Sequence, residues 1–175
     1  RARRTSSARS RSTWGGGREI PRTVARSTGP CDQSGPERGP PYRVRVKTTE
    51  QRLTVPGPDG EIQAVVIEPV GAPSRCGVLY YTDIFQLTES TLRTARRLAA
   101  EGFLVCLPEI YPRELAGVAL EFDDAGKQAG LAGAAHTSTA EFDADRDAVL
   151  AYLAARDDLD TIAAVGFCLG GHLAF

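Results

Sequence analysis

The sequence predicts an α/β fold, a parallel sheet with helices on both faces, and three observations carry that reading. Apolar runs at residues 76–82, 103–107 and 161–165 have the texture of strands buried on both faces. The segments between them include two stretches with helical spacing and capping signals. The order strand, helix, strand, helix, strand then builds a parallel sheet by right-handed crossovers.

Upstream of that unit, residues 42–50 and 51–56 are β-prone, and Gly57-Pro58-Asp59-Gly60 is a strong turn signal. Residues 61–70 alternate well enough to be the returning strand, which Gly71-Ala72-Pro73 breaks. The run 76–82 (CGVLYYT) is the first buried strand. Thr88 or Ser90 caps the helix after it, with Leu92, Ala95, Leu98 and Ala99 on one face and Gly102 as its left-handed terminus.

The second buried strand is 103–107 (FLVCL). Residues 108–137, with Pro108, Pro112 and later Gly-Ala repeats, read as a long irregular connection placed where an active-site wall or lid would sit. Ser138 and Glu141 form a capping box, and the helix it opens places Phe142, Val149, Tyr152 and Leu153 on one face. Residues 161–165 (TIAAV) are the third buried strand, running straight into Gly166-Phe167-Cys168-Leu169-Gly170-Gly171.

Composition bounds the rest. With 42% hydrophobic and 25% charged residues, the chain holds one sizeable core. Residues 1–45 carry eleven of the 21 Lys and Arg against three acids, whereas residues 46–175 carry ten bases against 19 acids. Residues 1–43 therefore read as a disordered basic Arg/Ser/Gly/Pro-rich tail, and 44–175 as a partial catalytic-type domain. The tail is an upstream extension, an organelle-targeting segment, a nucleic-acid-binding arm or a linker. The acidic body lacks the basic face that nucleic acid needs.

The four cysteines, Cys31, Cys76, Cys106 and Cys168, show neither disulfide spacing nor a metal-ligand rhythm with the two histidines, so a reduced, cytoplasmic setting is expected. No apolar run is long enough for a membrane span. Nothing in the sequence sets the oligomeric state. The chain has no methionine and stops seven residues past Cys168, so a fragment is expected.

The chemistry concentrates at Cys168. G-x-C-x-G-G after a buried strand and before apolar Leu169, Leu173, Ala174 and Phe175 is the nucleophile-elbow pattern with cysteine in place of serine. Gly166 and Gly170 are needed because side chains there would clash in so tight a corner. A following helix N-terminus favours the thiolate, and the Leu169 N–H is placed to donate to a developing oxyanion.

GFCLGGHLAF, with YTDIFQL after the first buried strand and LVCLPEIYPR in and after the second, resembles the dienelactone hydrolase family over about residues 46–175. The resemblance implies an α/β-hydrolase-type, doubly wound, mostly parallel sheet, truncated here after the nucleophile elbow. It implies a Cys-His-Asp triad acting on a small-molecule ester or lactone through a thioester acyl-enzyme, with no metal or cofactor. It also gives Asp83 the place of an acidic residue that contacts the nucleophile's thiol, and Ile84 that of the second oxyanion-hole N–H. Two departures stand out: Asp83 is shorter than the family's Glu, and Gln86 replaces a glycine. The triad's acid and histidine should follow the nucleophile in sequence, beyond this chain, so low turnover is expected of the 175 residues alone.

The remaining candidates read as structural. His172 points back into the fold or toward a neighbour, His136 is a solvated loop residue, and Lys127 is a solvated lysine near a place where the family holds a substrate carboxylate. Cys76 and Cys106 are small buried strand residues. A glutamine amidotransferase-like enzyme also uses a G-x-C-x-G elbow, but Gly171-His172-Leu173 departs from the usual continuation there. A silent binding module with a basic nucleic-acid-binding arm is the non-enzyme alternative.

Overall fold

Two ten-residue strands, β1 (Thr48–Gly57) and β2 (Gly60–Pro69), pair antiparallel in a hairpin whose register runs from Thr48 opposite Pro69 to Gly57 opposite Gly60. The Gly-Pro-Asp-Gly signal makes the turn as expected. Gly60 has φ 144°, a region that favours glycine. The computed structural model describes residues 46–71 and 74–174; the expectations for the tail at 1–43 and for Phe175 lie outside them. The two β-prone segments before the turn are one strand, β1, over the described part.

The hairpin joins a five-stranded sheet of order β1-β2-β4-β3-β5, with β3 (Cys76–Tyr81), β4 (Leu104–Pro108) and β5 (Thr161–Gly166). β2 pairs β4 antiparallel, whereas β4, β3 and β5 are parallel. The sheet is therefore mixed, and its parallel part is the predicted βαβαβ unit.

Helices cover both faces, because alternate strand residues point to opposite sides. On one face, α1 (Glu89–Ala99) packs Leu92, Ala95 and Ala99 onto Val65, Ile67, Val78, Tyr80, Val105 and Leu107. Thr88, not Ser90, is its N-cap: the Thr88 Oγ1 accepts from the Thr91 N–H at 3.3 Å. On the other face, α3 (Thr139–Ala154) brings Val149 and Leu153 against Ile62, Ala64, Val66, Leu79 and Cys106. The Ser138–Glu141 capping box is present in both directions, with the Glu141 carboxylate accepting the Ser138 N–H at 2.7 Å. Arg113 holds the α3 side in place, forking onto Asp145 at 2.8 and 3.1 Å and reaching Asp59 of the hairpin turn at 2.7 Å.

Two expectations are corrected here. Residues 108–137 are not irregular throughout: a 13-residue helix, α2 (Asp124–His136), occupies their second half. Asp123 caps it by accepting the Gly126 N–H at 2.7 Å. Its buried residues are Gly126, Gly130 and Gly133 rather than large apolar side chains, so the usual stripe is missing. β5, expected to be buried on both faces, has Thr161, Ala163 and Ala164 exposed. It is the sheet edge among the described residues, paired only to β3. An edge strand with one neighbour and small side chains keeps much of its surface in water.

Candidate active site

At the C-terminal end of β5 the chain turns through Phe167 and Cys168 into the short helix α4 (Leu169–Leu173). Cys168 sits at φ 55° and ψ −120°, a sparsely populated conformation for a residue with a Cβ. Sterics enforce the corner. A Cβ on Gly166 would lie 1.9 Å from the Gly170 carbonyl oxygen, and one on Gly170 would lie 2.3 Å from the Thr82 oxygen and 2.4 Å from the Tyr81 oxygen. Glycine at 166 lets the chain close the corner from β5 into α4, and glycine at 170 lets α4 rest directly on the end of β3. The thiol is exposed.

That contact sets the β3 exit beside the elbow, and residues 83–86 form a tight turn there. The Asp83 Oδ1 accepts the Phe85 N–H at 2.9 Å, and the Asp83 carbonyl accepts the Gln86 N–H at 3.1 Å. Among the described residues, neither the Ile84 N–H nor the Leu169 N–H has an acceptor. Leu169 is the first residue of α4, one of the positions whose N–H has no partner within its own helix. Both N–H groups lie on segments that the Gly170 contact with Tyr81 and Thr82 brings to the same end of the sheet.

The carboxylate of Asp83 makes no hydrogen bond to Cys168 among the described residues; it closes its own turn instead. Burial, followed by the negative charges of Cys168 and Asp83, pushes the Tyr111 phenol up to about 12. Tyr111, which the sequence reading passed over, lies within the field of both groups. Its hydroxyl donates to the Gly130 carbonyl of α2 at 3.0 Å. A cleft lined by Tyr80, Thr82, Asp83, Ser90, Thr94 and Phe167 opens on the α1 side, and the Phe167 ring stands 5.9 Å from that of Tyr80.

The helix α2 forms the opposite wall. A Cβ on Gly130 would lie 2.4 Å from the Ile84 carbonyl oxygen, and one on Gly133 would lie 3.1 Å from the Tyr111 ring. This glycine face is how a helix approaches the turn carrying Ile84 so closely. Replacing Gly130 with alanine is expected to destabilise the fold by about 2–3 kcal/mol, because the obstacle is backbone and not a mobile side chain. A lower urea midpoint at unchanged m-value would register it.

The other sequence candidates fall away from this centre. His136 ends α2 rather than sitting in a loop; it is exposed, 3.5 Å from Glu114. His172 lies in α4 but is exposed rather than turned into the fold. Lys127 is exposed on α2. Cys106 is fully buried as expected, its thiol pushed up to about 12 by desolvation, while Cys76 is half-buried.

Comparison with known proteins now decides the lineage. The profile described as "Dienelactone hydrolase family" matches residues 62–175. The chain belongs to the dienelactone hydrolase family. Two curated relatives, both named "Putative carboxymethylenebutenolidase", are similar to it. The Synechocystis protein is 28% identical over 134 residues, covering 75% of this chain and 54% of the relative. The Saccharomyces cerevisiae protein is 34% identical over 101 residues, covering 57% and 37%. This chain therefore spans about half of one curated relative and less of the other.

Among solved structures, a Klebsiella pneumoniae protein described as a "Putative Dienelactone Hydrolase" superposes with TM-score 0.60 at 28% identity, over 71% of this chain and 52% of its own. A metagenomic protein, the dienelactone hydrolase-like promiscuous phosphotriesterase P91, gives TM-score 0.59 at 25% identity, over 73% and 52%. The dienelactone hydrolase fold thus extends over 71–73% of this chain. No helix among the described residues is long and apolar enough to cross a membrane.

Proposed function

We propose that the protein is a hydrolase of small-molecule esters or lactones in which Cys168 is the nucleophile. The strained backbone of Cys168 at the β5–α4 corner is the observation that carries this reading, since a merely structural cysteine needs no such conformation. In the first step, the Cys168 Sγ bonds to the carbonyl carbon and the carbonyl electrons move to oxygen. The Ile84 and Leu169 N–H groups receive that oxyanion. Its collapse breaks the carbon–oxygen bond, the oxygen leaves as an alkoxide that takes a proton from water (still tethered to the acyl group if the substrate is a lactone), and a thioester remains for water to cleave. Asp83 acts through the turn it closes, presenting the Ile84 N–H, rather than as a partner of the thiol. The carboxymethylenebutenolidase names of both curated relatives support a lactone as substrate.

Among the described residues, neither histidine hydrogen-bonds Cys168. The 175-residue chain is accordingly expected to give one stoichiometric burst of p-nitrophenolate from p-nitrophenyl acetate and then to turn over slowly. A chain that releases no burst above that of C168A would overturn the proposal.

Alkylation supplies a separate check. Desolvation holds the Cys106 thiol near 12, so only about one part in ten thousand is thiolate at pH 8. Iodoacetamide followed by peptide mass spectrometry is expected to modify Cys168 at least about 100-fold faster than Cys106. Equal rates in the folded chain would count against an exposed, reactive Cys168.

A further inference from the structure

Gln86 follows Phe85 in the turn that carries Ile84, and it has φ 65° although it is not glycine. L-residues adopt that region at a cost, so something else must hold the residue there. The side chain, fully buried, does so. Its Nε2 donates to the carbonyls of Leu115 and Val118, each at 2.9 Å, and its Oε1 accepts the N–H groups of Ile110 at 3.1 Å and Tyr111 at 3.2 Å. Two donors and two acceptor lone pairs are the whole capacity of a primary amide, and all four are used. Only one orientation of the amide satisfies two carbonyls and two N–H groups at once.

All four partners are main-chain atoms of the segment 110–118. The backbone of Gln86 is tied equally firmly to the turn: its N–H donates to the Asp83 carbonyl, and its carbonyl accepts the Thr88 N–H at 2.8 Å. The Phe85 carbonyl accepts the Leu120 N–H at 3.0 Å, adding a second link to the same wall. Gln86 therefore joins the 83–86 turn to the segment that presents Tyr111.

We propose that Gln86 is a positioning residue that fixes the Ile84 N–H as an oxyanion donor, a role that rests on the reading of Cys168 as an acyl-transfer nucleophile. Glycine at this position would release the backbone from its conformational demand while leaving the 110–118 segment and the turn unjoined. The glutamine exchanges that freedom for rigidity, at the place where donor geometry matters most to an oxyanion.

The test uses the full chain with Gln86→Gly and Gln86→Glu, and compares two reactions of the same sulfur. Acylation by p-nitrophenyl acetate passes through an oxyanion: the Sγ–C bond forms, the C–O bond breaks and p-nitrophenolate leaves. Alkylation by iodoacetamide is displacement at a saturated carbon with iodide leaving, and no oxyanion forms. Q86G is expected to slow the burst phase about 10- to 100-fold, with alkylation of Cys168 unchanged within about 2-fold. Q86E keeps the two acceptor contacts to Ile110 and Tyr111 but cannot donate to Leu115 and Val118 when ionised. It is expected to fall between wild type and Q86G, and it carries the comparison if Q86G does not fold. A folded variant with wild-type burst rate overturns the proposal, as does a parallel fall of acylation and alkylation, which is the signature of a general structural role. A wild-type chain that is alkylated rapidly yet gives no burst removes the underlying acyl-transfer reading instead.

Discussion

Replacing Cys168 with alanine is expected to abolish the p-nitrophenolate burst and the rapid alkylation together, with little change in stability. The Cβ is retained, so the corner at φ 55° and ψ −120° keeps the same steric cost. Serine should be nearly as damaging. A cysteine is a few per cent thiolate near neutral pH and strongly nucleophilic, whereas a serine hydroxyl needs a base to activate it. Among the described residues, neither histidine is paired with position 168, so C168S is expected to acylate at least about a thousandfold more slowly than wild type.

Glycine at 168 separates chemistry from strain. C168G should lose all acylation yet gain about 1 kcal/mol in stability, because it adopts positive φ without the Cβ conflict. A rise in the urea midpoint accompanying loss of the burst would show strain stored at position 168. A fall would show that the sulfur or its Cβ contributes packing that outweighs the strain.

The elbow glycines carry the largest expected effect on folding. In G166A the new Cβ would meet the Gly170 oxygen at 1.9 Å, and in G170A it would meet the Tyr81 and Thr82 oxygens at 2.4 and 2.3 Å. Real Cβ atoms do not approach backbone oxygen so closely, and none of the three carbonyls belongs to a side chain that can rotate away. G166A must therefore open the β5–α4 corner and G170A must move α4 off the end of β3, and a loss of about 3 kcal/mol or more is expected in each, with loss of the burst. Gly171 is the internal control. Its nearest contact would be 3.6 Å from the Gly166 oxygen, ordinary van der Waals distance, so G171A is expected to change stability by no more than about 1 kcal/mol. Equal destabilisation by all three alanines would mean that helix propensity, not the corner, governs this segment.

Much of this architecture was legible in residue order because the rules that govern it are local. The Gly-Pro-Asp-Gly turn and the Ser138–Glu141 box are each decided within about four residues and stand where their chemistry places them, whereas the α1 cap, open to Thr88 or Ser90 in the sequence, falls to Thr88. The strand-to-helix corner at Cys168 is local too: strand, glycine, cysteine and glycine leave few ways for the chain to turn. Gly166 is constrained by Gly170, only four residues away.

What escaped the sequence depends on segments that meet only after the chain has folded. α2 has no apolar stripe because its partners at Ile84 and Tyr111 come close enough to require glycine, and glycine read alone suggests a loop. Its one legible sign was Asp123 ahead of the Gly126, Gly130 and Gly133 spacing. Tyr111 entered the site through β4 and α2, and Asp83 turned toward the Phe85 N–H instead of the thiol. TIAAV reads as a buried strand, yet the sheet order β1-β2-β4-β3-β5 puts it at an edge. Gln86 looked like a simple loss of glycine, and only the arrival of residues 110–118 gave its amide four partners. The sequence by itself determined the hairpin turn, the strands, the α3 capping box and the corner at Cys168, since these follow from backbone sterics and short-range hydrogen bonds. The tertiary structure alone decided which backbone N–H groups remain free beside that corner and what holds them there, because that depends on contacts between residues tens of positions apart.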